Sequence, residues 1–332
     1  MNDRQVGVAI LGLGTIGSAV ARAIREQGDL IAERYGLRLV VQAVLERSRD
    51  RAARADLPPE TIATDLATIL SDDGVDVVVE VLGGEQPAAD FMLRCLRAGK
   101  HVVTANKEAL AKHFGELTAA AQEAERALLF EASVGGGIPL LVSYRQILAA
   151  NRITRVRGIV NGTTNFILSQ MAEQGTAYDT ALAEAQRLGY AEPDPTADVE
   201  GYDAAYKLAI LASLMLGRHV RPDEVDRTGI TGVTAEEVAA ARERGGAIKL
   251  IASAERDGDA VRLQVAPTFV PGDNLLAHVS ANFNAIELTG DRVGPVVLSG
   301  QGAGPLPTAS AILSDVVEAA RVGAAANVVL GA

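Results

Sequence analysis

Between Gln186 and Leu216 the chain reads QRLGYAEPDPTADVEGYDAAYKLAILASLML, a carboxylate-rich loop running into an apolar stretch that contains one lysine. An ammonium can give up and regain a proton, and acids beside it can hold it in place or grip a cationic ligand, so this segment suits an amino-acid substrate. The loop presents Glu192, Pro193, Asp194 and Pro195, and the spacing predicts a helix over 199–216 that sets Glu200, Asp203 and Lys207 on one face at i, i+3 and i+7. An isolated Asp–Lys pair four residues apart is ordinary on a helix surface. Composition argues for more than that. The chain has only five lysines (Lys100, Lys107, Lys112, Lys207 and Lys249) among 31 basic residues, so arginine is its default surface cation. A lysine kept in such a background points to a group that must change its proton state, which a guanidinium does not do.

A second motif binds rather than reacts. The apolar run VGVAIL leads into Gly12-Leu13-Gly14-Thr15-Ile16-Gly17 and then SAVARAIREQG, the strand, glycine turn and helix of a dinucleotide fingerprint. Gly12 permits the tight turn, Gly14 lets the backbone approach a pyrophosphate and Gly17 allows close packing, while the helix N-terminus faces the anion. Leu13, Thr15 and Ile16 complete the cofactor loop. After the second strand, Glu46 is placed to take a ribose 2′-hydroxyl, whereas Arg47 or Arg49 is placed to pair with a 2′-phosphate, so the residues permit both NAD and NADP.

These motifs need elements to carry them. Up to Glu131, short apolar runs (VGVAIL, LRLVVQAVL, VDVVVEVL, HVVTA, ALLFEA) alternate with helical patterns, which predicts an α/β unit with a Rossmann-type, doubly wound parallel sheet. The turn Ala132-Ser133-Val134-Gly135-Gly136-Gly137-Ile138-Pro139 ends it. Beyond lies an α+β pattern: a strand and turn over 153–164, helices over 165–188 and 199–216, and strand-like runs within 261–300. The segment GPLPTASAILSDVVEAAR reads as a helix returning to the first domain. The expected division is thus residues 1–131 with 303–332 packed back on them, and a catalytic and dimerisation domain over 132–302.

Length and charge bound the partners. With 332 residues, 48% of them hydrophobic, the chain can fill two cores. A net charge of −11 and the lack of any Lys/Arg run argue against nucleic acid. No run approaches membrane-spanning length, and the N-terminus reads as a strand rather than a signal peptide. The single Cys95 fits a reducing cytoplasm and is expected half-buried on a helix.

Taken in order, GLGTIGSAV, EVLGG, TANKEALA, EASVGGGIP, GIVNGTTNFIL and LGYAEPDPTADVEGYDAAYKLAIL resemble the successive motifs of the homoserine dehydrogenases over essentially the full chain. The resemblance implies an NAD(P)-dependent enzyme that interconverts L-homoserine and L-aspartate 4-semialdehyde on the route to threonine, methionine and isoleucine, and a homodimer. It implies Lys207 as proton donor or relay, Asp203 and Glu192 at the substrate, Lys107 between nicotinamide and substrate, and Gly83, Gly189 and Gly302 beside the cofactor. It also implies a monovalent cation, Na⁺ or K⁺, held by the Glu131 side chain and the carbonyls of Val134, Gly136 and Ile138. Where many NADP-using relatives carry an arginine, this chain has Leu45. Many relatives also continue into a C-terminal regulatory module of the ACT type; this chain stops just after Val329-Leu330, so threonine feedback through such a module is not expected.

The chemistry is coherent. A zwitterionic substrate needs an acid for its α-ammonium, donors for its carboxylate and a proton carrier at the reacting oxygen, where Lys207 or Lys107 can stabilise developing alkoxide charge. His101, His113, His219 and His278 lie outside the polar motifs and read as surface or satisfied core residues. One carboxylate with several carbonyls suits a monovalent cation, although EASVGGGIP read alone is only a glycine turn at a domain hinge. Three rivals remain at this level. An aldehyde-oxidising semialdehyde dehydrogenase needs a cysteine nucleophile, and an NAD(H)-sensing module needs only the glycine loop. A sugar-type oxidoreductase would carry Glu-Lys-Pro where TANKEAL stands.

Overall fold

The computed structural model describes residues 3–48, 50–51, 57–257 and 260–327. The chain divides into two compact units, one running to Gly137 and taking back the segment from Gly304, the other spanning Ile138–Ala303. The division falls at Gly137 rather than at Glu131, because the short helix that starts at Glu131 packs on elements of the first unit.

The first unit is built on a parallel sheet. Strands β1 (Arg4–Leu11), β2 (Leu37–Leu45), β3 (Ile62–Ala63), β4 (Val77–Glu80), β5 (His101–Thr104) and β6 (Leu128–Leu129) line up as β3-β2-β1-β4-β5-β6. From Val6 to Leu11 every residue of β1 is buried, as expected of a central parallel strand covered on both faces. Helices α1 (Thr15–Tyr35), α2 (Leu66–Leu70), α3 (Ala88–Arg97) and α4 (Lys107–Glu123) lie between the strands, and α5 (Glu131–Val134) follows β6. The order reverses between β1 and β4, so the loops after these two strands form the crevice where such sheets take ligands. The two-residue β3 has no counterpart in the sequence reading, and ALLFEA contributes only Leu128 and Leu129 to the sheet.

In the second unit come α6 (Leu140–Leu148), β7 (Ile153–Ile159), α7 (Gly162–Gln174), α8 (Tyr178–Arg187), α9 (Thr196–Val199), α10 (Tyr202–Leu216), β8 (Asp226–Arg227), α11 (Ala235–Glu243), β9 (Gly246–Asp257), β10 (Ala260–Pro271), β11 (Phe283–Gly290) and β12 (Gly294–Gln301). Its sheet has the order β12-β11-β7-β9-β10-β8 and is antiparallel except where β8 joins β10. A last helix, α12 (Pro305–Val322), returns to the first unit, where Ala309, Ile312, Val316 and Ala320 share a core with Val8, Val20 and Ile24.

Three sequence expectations change here. The helix over 165–188 is two helices, α7 closing at the left-handed Gly175. The helix over 199–216 is also broken: Gly201 sits at φ 80°, so Glu200 ends α9 and does not share a face with Asp203 and Lys207. Its side chain instead accepts from the Thr231 hydroxyl at 3.0 Å. Finally, β9 occupies a segment that the sequence reading left unassigned, and Asn161 caps α7, which draws Gly162-Thr163-Thr164 into a helix.

Candidate active site

In the first unit the glycine loop has the geometry its composition suggests. Gly12 lies at φ 101°, and a side-chain carbon on Gly17 would stand 1.9 Å from the Gly12 carbonyl oxygen, so only glycine lets α1 start this close to the turn. A carbon added to Gly14 would meet nothing within 4 Å. Gly14 is also the N-cap of α1 and offers no side-chain cap, so the first N–H groups of the helix open onto clear space, which fits a pyrophosphate.

Glu46 is bonded to the glycine loop. Its carboxylate accepts from the Leu13 N–H at 3.0 Å and the Ser48 N–H at 2.8 Å, which ties the end of β2 to the glycine loop. Burial pushes its pKa upward, but those N–H groups and the Arg51 charge outweigh it and hold the acid below the ordinary value. It therefore carries a negative charge beside the loop. Arg47 is exposed, and Arg49 lies outside the described residues. Leu45, where many NADP-using relatives carry an arginine, is 7% exposed.

The loop after β4 lies against the first. A side-chain carbon on Gly12 would meet Leu82 at 3.2 Å, and Gly83 and Gly84 follow at φ 77° and 70°. Asn106 donates to the Gly84 carbonyl at 2.7 Å and caps α4 by accepting from Ala109 N–H at 3.1 Å. Lys107 is the first residue of α4, half-buried at the C-terminal edge of the sheet.

The second unit holds the acid–ammonium cluster. The Lys207 ammonium, 8% exposed, donates to Asp203 Oδ2 at 2.8 Å and to the Val160 carbonyl at 2.7 Å. Asn161 is its hub: the side-chain nitrogen donates to Asp198 at 2.7 Å and to Asp203 at 2.9 Å, while Oδ1 accepts from Thr164 N–H. Burial first, then the Asp203 charge, pushes the Asp198 carboxyl above its ordinary range, against the pull of Asn161, Thr163 and Lys207. Thr163 donates to the Tyr190 carbonyl at 2.6 Å, fastening the carboxylate loop to α7.

Other sequence-assigned residues are placed as follows. Gly189 is at φ 77° just past α8, with open space where a side chain would stand. Glu192 is exposed on the loop; its carbonyl accepts from Gln186, and among the described residues its carboxylate bonds to none of the cluster. Gly302 packs on Asn284, whose amide nitrogen would lie 1.8 Å from an added carbon. Glu131 is 8% exposed at the start of α5; Val134, Gly136 (φ 60°) and Ile138 follow in its turn, and the Ile138 carbonyl also accepts from Leu140 N–H at 2.8 Å. Sequence reasoning missed Asn161 and Asp198. An asparagine directly after a strand, at the head of NGTTN, was the signal available for the first.

Cys95 is fully buried rather than half-buried, and burial pushes its thiol up to about 12. Such a thiol yields no nucleophilic thiolate at neutral pH, which removes the aldehyde-oxidising rival. His101 accepts from the Ala127 N–H at 2.9 Å, and His278 pairs with the Gly272 carbonyl at 2.7 Å.

A family model described as "Homoserine dehydrogenase" matches residues 139–317, and one described as "Homoserine dehydrogenase, NAD binding domain" matches residues 12–131. The homoserine dehydrogenase of Bacillus subtilis is 42% identical over 314 residues, covering 95% of this chain and 72% of that protein. A solved homoserine dehydrogenase from Thiobacillus denitrificans superposes with a TM-score of 0.92 at 42% identity, over 96% of this chain and 74% of that one. A hyperthermophilic archaeal homoserine dehydrogenase in complex with NADPH gives 0.81 at 28% identity, over 96% and 98% of the two chains.

Proposed function

The chain belongs to the homoserine dehydrogenase family, and we propose that its Asn161, Asp198, Asp203 and Lys207 cluster handles the proton of the reaction. The enzyme is an NAD(P)-dependent oxidoreductase acting on the homoserine hydroxyl. A bound nicotinamide supplies hydride acceptance and donation at the homoserine carbon. The chain's own residues bind, orient and move the proton. An ammonium has three N–H donors, and Lys207 commits one to Asp203 and one to Val160. The third remains for the reacting oxygen, and this observation carries the reading. In the reducing direction Lys207 delivers a proton, directly or through one water, to the oxygen on which alkoxide charge develops; in the oxidising direction the path runs backwards.

Glu192 takes the substrate α-ammonium, and Lys107 stands between nicotinamide and substrate. Gly12 to Gly17 hold the pyrophosphate, with Gly83, Gly189 and Gly302 against the rest of the cofactor. The lowered pKa of Glu46 keeps a negative charge where a 2′-phosphate would sit, which favours NAD, while exposed Arg47 leaves NADP usable. Measured at one ionic strength, kcat/KM with homoserine should be higher for NAD than for NADP. A strong NADP preference that Arg47→Ala abolishes would instead assign the phosphate to Arg47.

The Glu131 carboxylate with the carbonyls of Val134, Gly136 and Ile138 is an all-oxygen donor set that suits Na⁺ or K⁺. A homodimer is supported by Leu275 and Phe283, 64% and 43% exposed, close to half-buried Val297; sedimentation at micromolar concentration tests it. A place in threonine, methionine and isoleucine synthesis and a cytoplasmic location complete the reading. No helix among the described residues is long and apolar enough to cross a membrane.

A further inference from the structure

The first unit contains a carboxylate that the mechanism above leaves unused. Glu80, the last residue of β4, is 0% exposed. Its Oε2 accepts from the Thr104 hydroxyl at 2.7 Å, and its Oε1 accepts from Leu82 N–H at 2.8 Å and from the Asn106 amide at 3.4 Å. The Thr104 hydroxyl in turn accepts from Asn106 N–H at 2.9 Å, and Ala105 N–H reaches the Glu80 carbonyl at 3.3 Å. No basic side chain among the described residues pairs with Glu80. A buried acid without a cation costs stability, and its retention calls for a local reason.

The groups bonded to the carboxylate are donors from two stretches of chain: the Leu82 and Gly83 backbone after β4, and Thr104 at the end of β5 with Asn106 just beyond it. Asn106 is also the cap of α4, and the next residue is Lys107. We propose that Glu80 is a positioning residue for the hydride-transfer reaction, fixing the Thr104–Asn106 turn so that the start of α4 presents Lys107 in one orientation. An acceptor-only group is required for this. The amide of a glutamine would either turn an N–H against the Leu82 and Asn106 donors, a repulsion, or turn it to Thr104, whose hydroxyl would then have to accept where it now donates. Displacements of about 1 Å at a positioning group cost up to ~100-fold in turnover, so small shifts of this turn are enough.

The inference rests on the reading of Lys107 as a residue at the reacting centre. The test is a double-mutant cycle on the full-length enzyme. Glu80→Gln should lower kcat roughly tenfold or more while KM for homoserine moves less than about threefold. In a Lys107→Ala background the same substitution should cause no further fall, because its effect runs through Lys107. Hydrogen exchange of the backbone amides over 104–110 should also quicken in Glu80→Gln. A merely structural role would lower thermal stability and leave kcat of the folded enzyme intact. If Glu80→Gln does not fold, Thr104→Val removes the central hydroxyl and should give the same pattern. An unchanged kcat, or effects that multiply, overturns the proposal. Full turnover in Lys107→Ala alone would show that the Lys107 reading itself had failed and would take this proposal with it.

Discussion

Replacing Lys207 with methionine separates what the ammonium does for folding from what it does for turnover. The side chain is 8% exposed, and its two bonds, at 2.8 and 2.7 Å, end on Asp203 and the Val160 carbonyl. Methionine keeps most of the apolar stem but takes the cation away from Asp203, 6% exposed, while the Asn161 amide bond to that carboxylate stays. Breaking one side of a buried ion pair costs about 3–5 kcal/mol, because the stranded charge stays out of water. Urea unfolding of Lys207→Met should therefore show a loss in that range. Adding Asp203→Asn removes the stranded charge and should return most of the loss, since replacing both partners of such a pair is often close to neutral. Turnover should behave differently. Followed by absorbance of the reduced nicotinamide, kcat should fall ~100-fold or more in the single variant, as for loss of a positioned acid, and should not recover in the double. A folded Lys207→Met enzyme with kcat within about tenfold of the parent would refute the assignment of the proton to Lys207. Equal stability of single and double variants would refute the charge argument.

Glu192→Ala should mainly raise KM for homoserine, because it removes a contact made before the chemical step; an unchanged KM with weakened NAD(P) binding would move Glu192 to the cofactor. Glu46→Ala should weaken cofactor binding about tenfold, by freeing the Leu13 N–H that its carboxylate holds at 3.0 Å, and calorimetry with NAD checks this. Lys249, buried beside Asn165 and the Val279 carbonyl, is lowered by burial to about 8 from 10.5. A lysine depressed on folding contributes stability that is present above the unfolded pKa and lost as pH falls through the folded one. The wild type should therefore gain up to ~3 kcal/mol relative to Lys249→Met between about pH 8 and pH 10.5; a stability difference flat across that window would contradict the depressed value.

The parts of this molecule that were legible in its sequence are those set by local spacing. Gly12, Gly14 and Gly17 announce themselves because a turn, an open approach and a close helix start each require a missing side chain at a fixed offset. The Asp203–Lys207 pair was readable as i,i+4 neighbours, and its burial followed from the apolar run around it. Glu200 misled because helical periodicity was carried through Gly201, whose left-handed conformation restarts the helix. Asn161, Asp198 and Glu80 were not legible, since each gains its role from partners 24 to 42 residues away. The Glu46 bond to Leu13 depends on the pairing of β1 with β2, which spacing along the chain does not encode.

A crystal structure of the enzyme with homoserine and oxidised cofactor bound tests the central claim most directly. The substrate hydroxyl oxygen should lie about 3 Å from the Lys207 ammonium, or be joined to it by one ordered water, with Asp203 still bonded to Lys207 and the substrate ammonium on Glu192. A hydroxyl held by other groups, with Lys207 turned wholly to Asp203 and Val160 and no water between, would contradict it.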